Sequence, residues 1–211
     1  AEVGQNHQGN VNIAKEYVKT FSTIGADAIK FQVRNNKFLF SNKAYKARYN
    51  SENAFAESYG EHREKLELSY KDLIKLRNEC KKYNVKFMVT PFDEISLEKI
   101  CKIGVDIIKI ASFDLGNLPL INKIAKKRKT TVISVGGGNS KQIESSVKLL
   151  KKYIKNLIIL HCNSEYPTPH DRLGLENIVK LKKKFKNCIV GSSDHFNGIL
   201  SCLLYTSPSP R

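Results

Sequence analysis

Val105-Asp106-Ile107-Ile108-Lys109-Ile110-Ala111-Ser112-Phe113-Asp114 is a short β-branched apolar run with a lysine in its middle and a small polar cluster at its end. Such a run is the pattern of a strand buried on both faces. An ammonium placed inside it is costly unless an anion meets it. Lys109 therefore has two readings. It snorkels out or pairs with a nearby carboxylate, or it is aimed at an anionic ligand. The second reading gains from a recurrence upstream, where Ala28-Ile29-Lys30-Phe31-Gln32-Val33 is another β-type run with a central lysine.

Working outward, one unit repeats: a β-type run, a few small or polar residues, then an amphipathic helix. Strand-like runs fall at 1–4, 28–33, 86–89, 105–114, 131–135, 156–162 and 188–193. Helical patterns occupy 10–24, with Ile13, Tyr17, Val18 and Phe21 on one face, then 69–83, a short stretch to 102, 117–127, 140–154 and 175–185. Gly25 stands where a helix C-terminal glycine belongs, and Ser69 where an N-cap belongs. Residues 34–68 are rich in Asn, Tyr, Lys and Glu and too long for a plain connector, so a functional loop or lid is expected there.

Strands alternating with helices read as a parallel α/β protein. A doubly wound sheet draws its ligand site mainly from loops near its switch point. Here almost every strand ends in a polar group: Glu2, Lys30 with Gln32, Thr90, Lys109 with Ser112, Ser134, His161 with Ser164, and Ser193 with His195. That distribution belongs to a (β/α)8 TIM barrel. A full barrel takes about 250 residues, so residues 1–200 are expected to be a partial barrel domain, truncated after about strand seven. Residues 201–211 abandon the pattern in a Ser-Pro-Ser-Pro run and read as a foreign or disordered tail.

Composition narrows the function classes. The chain has 211 residues, 41% of them hydrophobic, enough to bury a sizeable core. No apolar run approaches membrane-spanning length and no signal-peptide pattern opens the chain. Five widely spaced cysteines without a CxxC pair argue against a disulfide framework or a structural zinc site, and fit a reducing cytoplasm. The net charge of +16 invites a nucleic-acid reading. The lysines, however, are spread over helix-like segments at 123–129, 148–155 and 180–186, without an aromatic stacking pattern or a helix-turn-helix signature. A solvated lysine-rich outer surface is the better account, with neither nucleic acid nor membrane as partner.

Together the strand ends supply two lysines, several hydroxyls, the carboxylate of Glu2, the amide of Gln32, and His195. Two ammonium groups ringed by hydroxyl donors suit a small substrate with phosphate and carboxylate groups. A glutamate facing that cluster can position or activate water or a hydroxyl. His195 is a metal ligand or a structural histidine. Gly136-Gly137-Gly138 lacks the spacing of a dinucleotide or Walker loop and reads equally well as a close helix–strand approach.

These residues also carry a resemblance. Ala1-Glu2-Val3-Gly4-Gln5-Asn6-His7-Gln8-Gly9 resembles the opening AEIGxNHxG signature of the sialic acid synthase family, the phosphoenolpyruvate-dependent synthases of N-acetylneuraminic and related nonulosonic acids. Lys30-Phe31-Gln32, Thr90-Pro91-Phe92-Asp93, Lys109-Ile110-Ala111-Ser112, His161-Cys162 with Tyr166-Pro167-Thr168-Pro169, and Ser193-Asp194-His195 resemble its later motifs in the same order.

The resemblance implies a cytoplasmic transferase of carbohydrate biosynthesis that condenses phosphoenolpyruvate with the aldehyde of an N-acetylhexosamine and releases phosphate. It implies a homodimer and a C-terminal antifreeze-like domain that this sequence lacks. By the same resemblance Lys30, Gln32, Thr90, Lys109, Ser112, Ser134, Ser164 and Ser193 hold phosphoenolpyruvate, and Glu2 acts at the reacting carbons. Tyr166 faces the sugar, and His195 is one of two histidine ligands to Mn²⁺ or Mg²⁺. The departures are Val135 where the family usually has Thr, Gly137 for Met, Ser164 where some members have Asn, and Asp114 for Glu. The second metal-ligand histidine and a partner-donated arginine are missing, so this stretch alone is expected to be inactive. Two other readings remain: another phosphoenolpyruvate- or sugar-phosphate-using aldolase-type barrel, with Lys109 as a Schiff-base nucleophile, and a basic nucleic-acid-binding protein.

Overall fold

The computed structural model describes residues 1–199. It divides into two compact units, Ala1–Lys109 and the remainder from Ile110 onward. The expected tail at 201–211 lies outside the described residues.

The first unit carries β1 (Glu2–Gly4), α1 (Val11–Thr23), β2 (Ala28–Val33), α2 (Asn36–Leu39), α3 (Asn42–Lys46), α4 (Tyr59–Lys65), α5 (Tyr70–Lys82), β3 (Lys86–Pro91), α6 (Glu94–Ile103) and β4 (Ile107–Ile110). Its strands are parallel and pair in chain order, β1 with β2, β2 with β3 and β3 with β4. The period of two along β2 decides what each face does. Ile29, Phe31 and Val33 are buried, with Phe31 against Phe87 at a ring-centroid distance of 6.0 Å. Lys30 and Gln32 alternate with them and take the other face. Buried Ala14 and Val18 of α1, Leu73, Leu76 and Cys80 of α5, and Leu97 and Ile100 of α6 complete the core. Each large apolar side chain fully removed from water there contributes about 1.5–3 kcal/mol.

The helix boundaries follow from capping. The Asn10 side chain accepts from the backbone of Asn12 and Ile13 at the start of α1, and Ser69 accepts from Asp72 at the start of α5. Gly25, at φ 91°, stands just past α1 in the left-handed region that a side chain resists. Residues 34–68, expected to form a functional loop or lid, contain three short helices. They hold α2, α3 and α4, capped by Asn35, Ser41 and Ser58. An antiparallel bridge joins Arg48 to Ser58, and Tyr49, Tyr59, Phe40 and Phe55 gather around them and His62.

The second unit opens on a single 3-10 turn at Ser112–Asp114, followed by α7 (Leu118–Lys126), β5 (Thr130–Ser134), α8 (Ser140–Lys151), β6 (Leu157–Cys162), α9 (Glu176–Lys184) and β7 (Ile189–Ser193). Its strands are again parallel and pair in chain order, β5 with β6 and β6 with β7. Asn139 and Gln142 form a reciprocal capping box at the start of α8. The glycine run after β5 permits a close approach, because a Cβ on Gly136 would lie 2.6 Å from the Cys162 carbonyl oxygen. Lysines fill the last turns of α7, α8 and α9, where cations oppose the negative helix end. They are exposed there, as a solvated lysine-rich face requires. No helix among the described residues is long and apolar enough to cross a membrane, and no disulfide forms among their cysteines.

Candidate functional site

In the first unit, register brings the polar strand-end residues onto one face. Glu2 of β1 stands opposite Lys30 of β2, and Gln32 stands opposite Thr90 of β3. The pairing of Met88 with Ile107 and Val89 with Ile108 sets Lys109 of β4 level with Thr90 at the next step. Residues level on neighbouring parallel strands share a face, as do residues two apart on one strand. Glu2, Lys30, Gln32, Thr90 and Lys109 therefore point the same way.

The environment of that face suits an anion. Lys109 is only 5% exposed, and the snorkelling reading fails with it. Thr90 is 2% exposed, and its hydroxyl is buried without a hydrogen-bond partner. A buried orphan hydroxyl costs about 1–3 kcal/mol until something meets it. The Glu2 carboxylate forms an ion pair with the Lys30 ammonium, and of the two it is the more exposed. It also flanks Gly4, at φ +57°, where a Cβ would lie 3.0 Å from the Glu2 Oε1.

Three residues around β2 were not picked out from the sequence. Arg34 donates through Nη2 to the Gln32 Oε1 at 2.6 Å, and Glu67 accepts from the Arg34 backbone N–H at 3.0 Å. The third is His7, 1% exposed and beside Phe31. Its Nδ1 accepts from the Gly9 N–H at 3.1 Å, which leaves the proton of the neutral ring on the buried Nε2. Burial pushes the His7 pKa down from 6.5 to about 4. A depressed pKa makes its contribution to stability fully present above pH ~6.5 and lost as pH falls through ~4, at ~1.4 kcal/mol per pH unit. We expect the unfolding free energy of the native protein to lose about 3 kcal/mol more between pH 7 and pH 4 than that of a His7→Asn variant. Parallel pH profiles from denaturant titrations of the two proteins would refute this assignment.

The second unit holds the remaining sequence-predicted residues. Ser134 ends β5 and is buried; Ser193 ends β7. The Ser112 hydroxyl is buried without a partner in the 3-10 turn. Ser164 lies in a cleft of about 440 Å³, with Gly137, His161, Asn163, Glu165 and Arg172 among its walls. His161 donates from Nε2 to the Leu173 carbonyl at 2.8 Å, so it serves the wall of that cleft. His195 lies 2.6 Å through Nδ1 from the Asn163 carbonyl. A carbonyl only accepts, so Nδ1 carries the proton and Nε2 of the neutral ring keeps its lone pair. That is the arrangement by which a ligating histidine is oriented. Tyr166, 73% exposed, lies against this ring with centroids 3.8 Å apart. Among the described residues no group of three His, Cys, Asp or Glu side chains is placed to hold a metal ion. His195 fits as one ligand of a larger set.

Parallel strands in chain order, with helices between them and charged and hydroxyl groups at their carboxyl ends, define the (β/α)-barrel class of fold. Solved structures agree. An N-acetylneuraminic acid (sialic acid) synthetase from Leptospira borgpetersenii serovar Hardjo-bovis, in complex with citrate, matches with a TM-score of 0.85 and 32% identity over 97% of this chain and 67% of that one. A truncated 3-deoxy-D-arabino-heptulosonate 7-phosphate synthase from Thermotoga maritima, at 16% identity and a TM-score of 0.60, shares the fold alone, over 86% of this chain and 58% of its own. Residues 17–207 match the NeuB family, and the chain belongs to it. It is 39% identical to the N,N'-diacetyllegionaminic acid synthase of Campylobacter jejuni over 94% of this chain and 60% of that protein. It is 33% identical to the N-acetylneuraminate-9-phosphate synthase of Mus musculus over 94% of this chain and 55% of that protein. The chain thus spans little more than half the length of these curated relatives.

Proposed function

We propose that this chain is the phosphoenolpyruvate-binding part of a nonulosonic acid synthase, a transferase that joins phosphoenolpyruvate to an N-acetylated amino sugar aldehyde and releases phosphate. The observation that carries this reading is the buried ammonium of Lys109, level with the unpartnered hydroxyl of Thr90 on the face that holds Lys30 and Gln32. A ligand with two anionic groups offers an acceptor to the orphan Thr90 hydroxyl on a face that also carries two ammonium groups. By resemblance to the family alone, Ser112, Ser134, Ser164 and Ser193 are further hydroxyl donors for phosphoenolpyruvate. Tyr166 is the sugar-facing ring.

The chemistry assigns a task to each group. As the enol carbon of phosphoenolpyruvate attacks the aldehyde carbon, positive character develops at the phosphate-bearing carbon. Water adds there and phosphate leaves. Lys30 and Lys109 hold the carboxylate and phosphate in place through that sequence. Glu2, ion-paired with Lys30, orients the attacking water and accepts its proton. His195 would hold a divalent ion, Mn²⁺ or Mg²⁺, through Nε2, and such an ion supplies polarisation of the sugar aldehyde. A cytoplasmic homodimer is part of the same reading.

Inorganic phosphate release by the full-length protein tests it, with phosphoenolpyruvate and a panel of N-acetylmannosamine, its 6-phosphate and 2,4-diacetamido sugars. We expect release that requires one of these sugars and matches the nonulosonic acid formed. Borohydride trapping of a keto substrate on Lys109, with no phosphate release, would instead establish a class I aldolase.

A further inference from the structure

Gln32 is the one member of the anion-binding face whose role depends on which way round it sits. A carboxamide can present either an acceptor or a pair of donors, and an anion accepts only the second. Arg34 decides the matter. Its guanidinium has no acceptor, so the Gln32 atom it meets at 2.6 Å is the oxygen. The amide nitrogen is thereby turned the other way, to 3.4 Å from the position a Cβ would take on Gly4, a point itself 3.0 Å from Oε1 of Glu2.

Arg34 is in turn held on several sides. Its Nη1 lies 3.5 Å from Oε1 of Glu67, and its backbone N–H donates to Oε2 of the same carboxylate at 3.0 Å. Gln5 donates to Glu67 Oε1 at 2.8 Å, and the guanidinium sits 4.0 Å above the Phe92 ring. The Arg34 and Glu67 side chains are 9% and 11% exposed. A planar fork that stacks, bridges to a carboxylate and reaches a second acceptor is a combination that lysine cannot reproduce.

We infer that Arg34, backed by Glu67, is a positioning residue that locks the Gln32 carboxamide with its N–H donors facing the Glu2 carboxylate and the bound anion. This rests on the reading that the face takes phosphoenolpyruvate. It adds a layer behind that face, made of residues that touch no substrate and act through Gln32.

A double-mutant cycle in the full-length enzyme tests it through the KM for phosphoenolpyruvate. Loss of an oriented hydrogen bond to a charged group corresponds to about a 10- to 100-fold change. Arg34→Met is expected to raise KM by about tenfold, at the low end of that range, with kcat little altered. Arg34→Lys should not restore it. In a Gln32→Ala background the same Arg34→Met change should add less than about twofold, because the group it acts through is gone. Equal effects in both backgrounds would overturn the inference and leave the functional reading standing. A second measurement needs neither substrate nor turnover. In the substrate-free protein with isotope-labelled glutamine, the Gln32 side-chain N–H protons should show a nuclear Overhauser contact to the Gly4 α-protons. Its absence from the native protein would overturn the inference, whereas a native enzyme that releases no phosphate but shows the contact would overturn only the functional reading.

Discussion

Lys109→Met is expected to abolish phosphoenolpyruvate binding in the full-length enzyme while leaving the fold in place. The side chain is buried in β4, so its charge meets a ligand with little water to screen it. Removing one partner of such a desolvated pair costs about 2–5 kcal/mol, a loss of affinity of roughly thirtyfold or more. Methionine keeps the length and most of the apolar stem of lysine, so the neighbours Ile108 and Ile110 keep their packing. The check pairs calorimetric titration of phosphoenolpyruvate with a thermal melt. Affinity within a few-fold of the native value, in a variant that melts normally, would remove the centre of the functional reading.

Glu2→Gln separates turnover from binding. A positioned carboxylate that takes a proton in the reaction is worth about 10²–10⁴ in rate, so kcat should fall by that factor. The sign of the change in KM is opposite to that for Lys109. Neutralising Glu2 removes the counter-charge that now pairs with Lys30, which strengthens the attraction of that ammonium for the substrate anion. The KM for phosphoenolpyruvate should therefore hold steady or fall. Steady-state phosphate release resolves the two parameters. If kcat stayed within a few-fold while KM dropped, Glu2 would be a counter-ion of Lys30 and not a group that handles the proton.

The parts of the fold that were legible are those whose signal is periodic or local. Residues 28–33 announce β2 because apolar and polar side chains alternate there, and that alternation is also what puts Lys30 and Gln32 on one face. Ser69 and Gly25 mark helix ends through side-chain and backbone chemistry that needs no tertiary context. By contrast, α2 and α3 span Asn36–Leu39 and Asn42–Lys46, too short for a helical period to develop. Their only sequence signal is the capping residue in front of each, Asn35 and Ser41.

The site divides along the same line. Lys109 could be singled out because a charge inside an apolar strand is anomalous wherever the strand goes. The pairing of Arg34 with Glu67 joins residues 33 apart through a carboxylate that sits in an ordinary polar segment. Nothing local marks it. The proposal of His195 as a ligand comes only from the resemblance to a family motif. What orients its ring is the backbone carbonyl of Asn163, a group every residue possesses.

The contact between Tyr166 and His195 gives the protein a built-in optical reporter. The chain has no tryptophan, so the weak emission of its tyrosines is not masked by energy transfer to an indole. Tyr166 is exposed and its ring centroid is 3.8 Å from that of His195, close enough for a cation bound to the imidazole to act on the excited phenol. Occupation of His195 Nε2 by a cation would register as a change in ultraviolet fluorescence, with no added label, and a Tyr166→Phe variant would supply the blank.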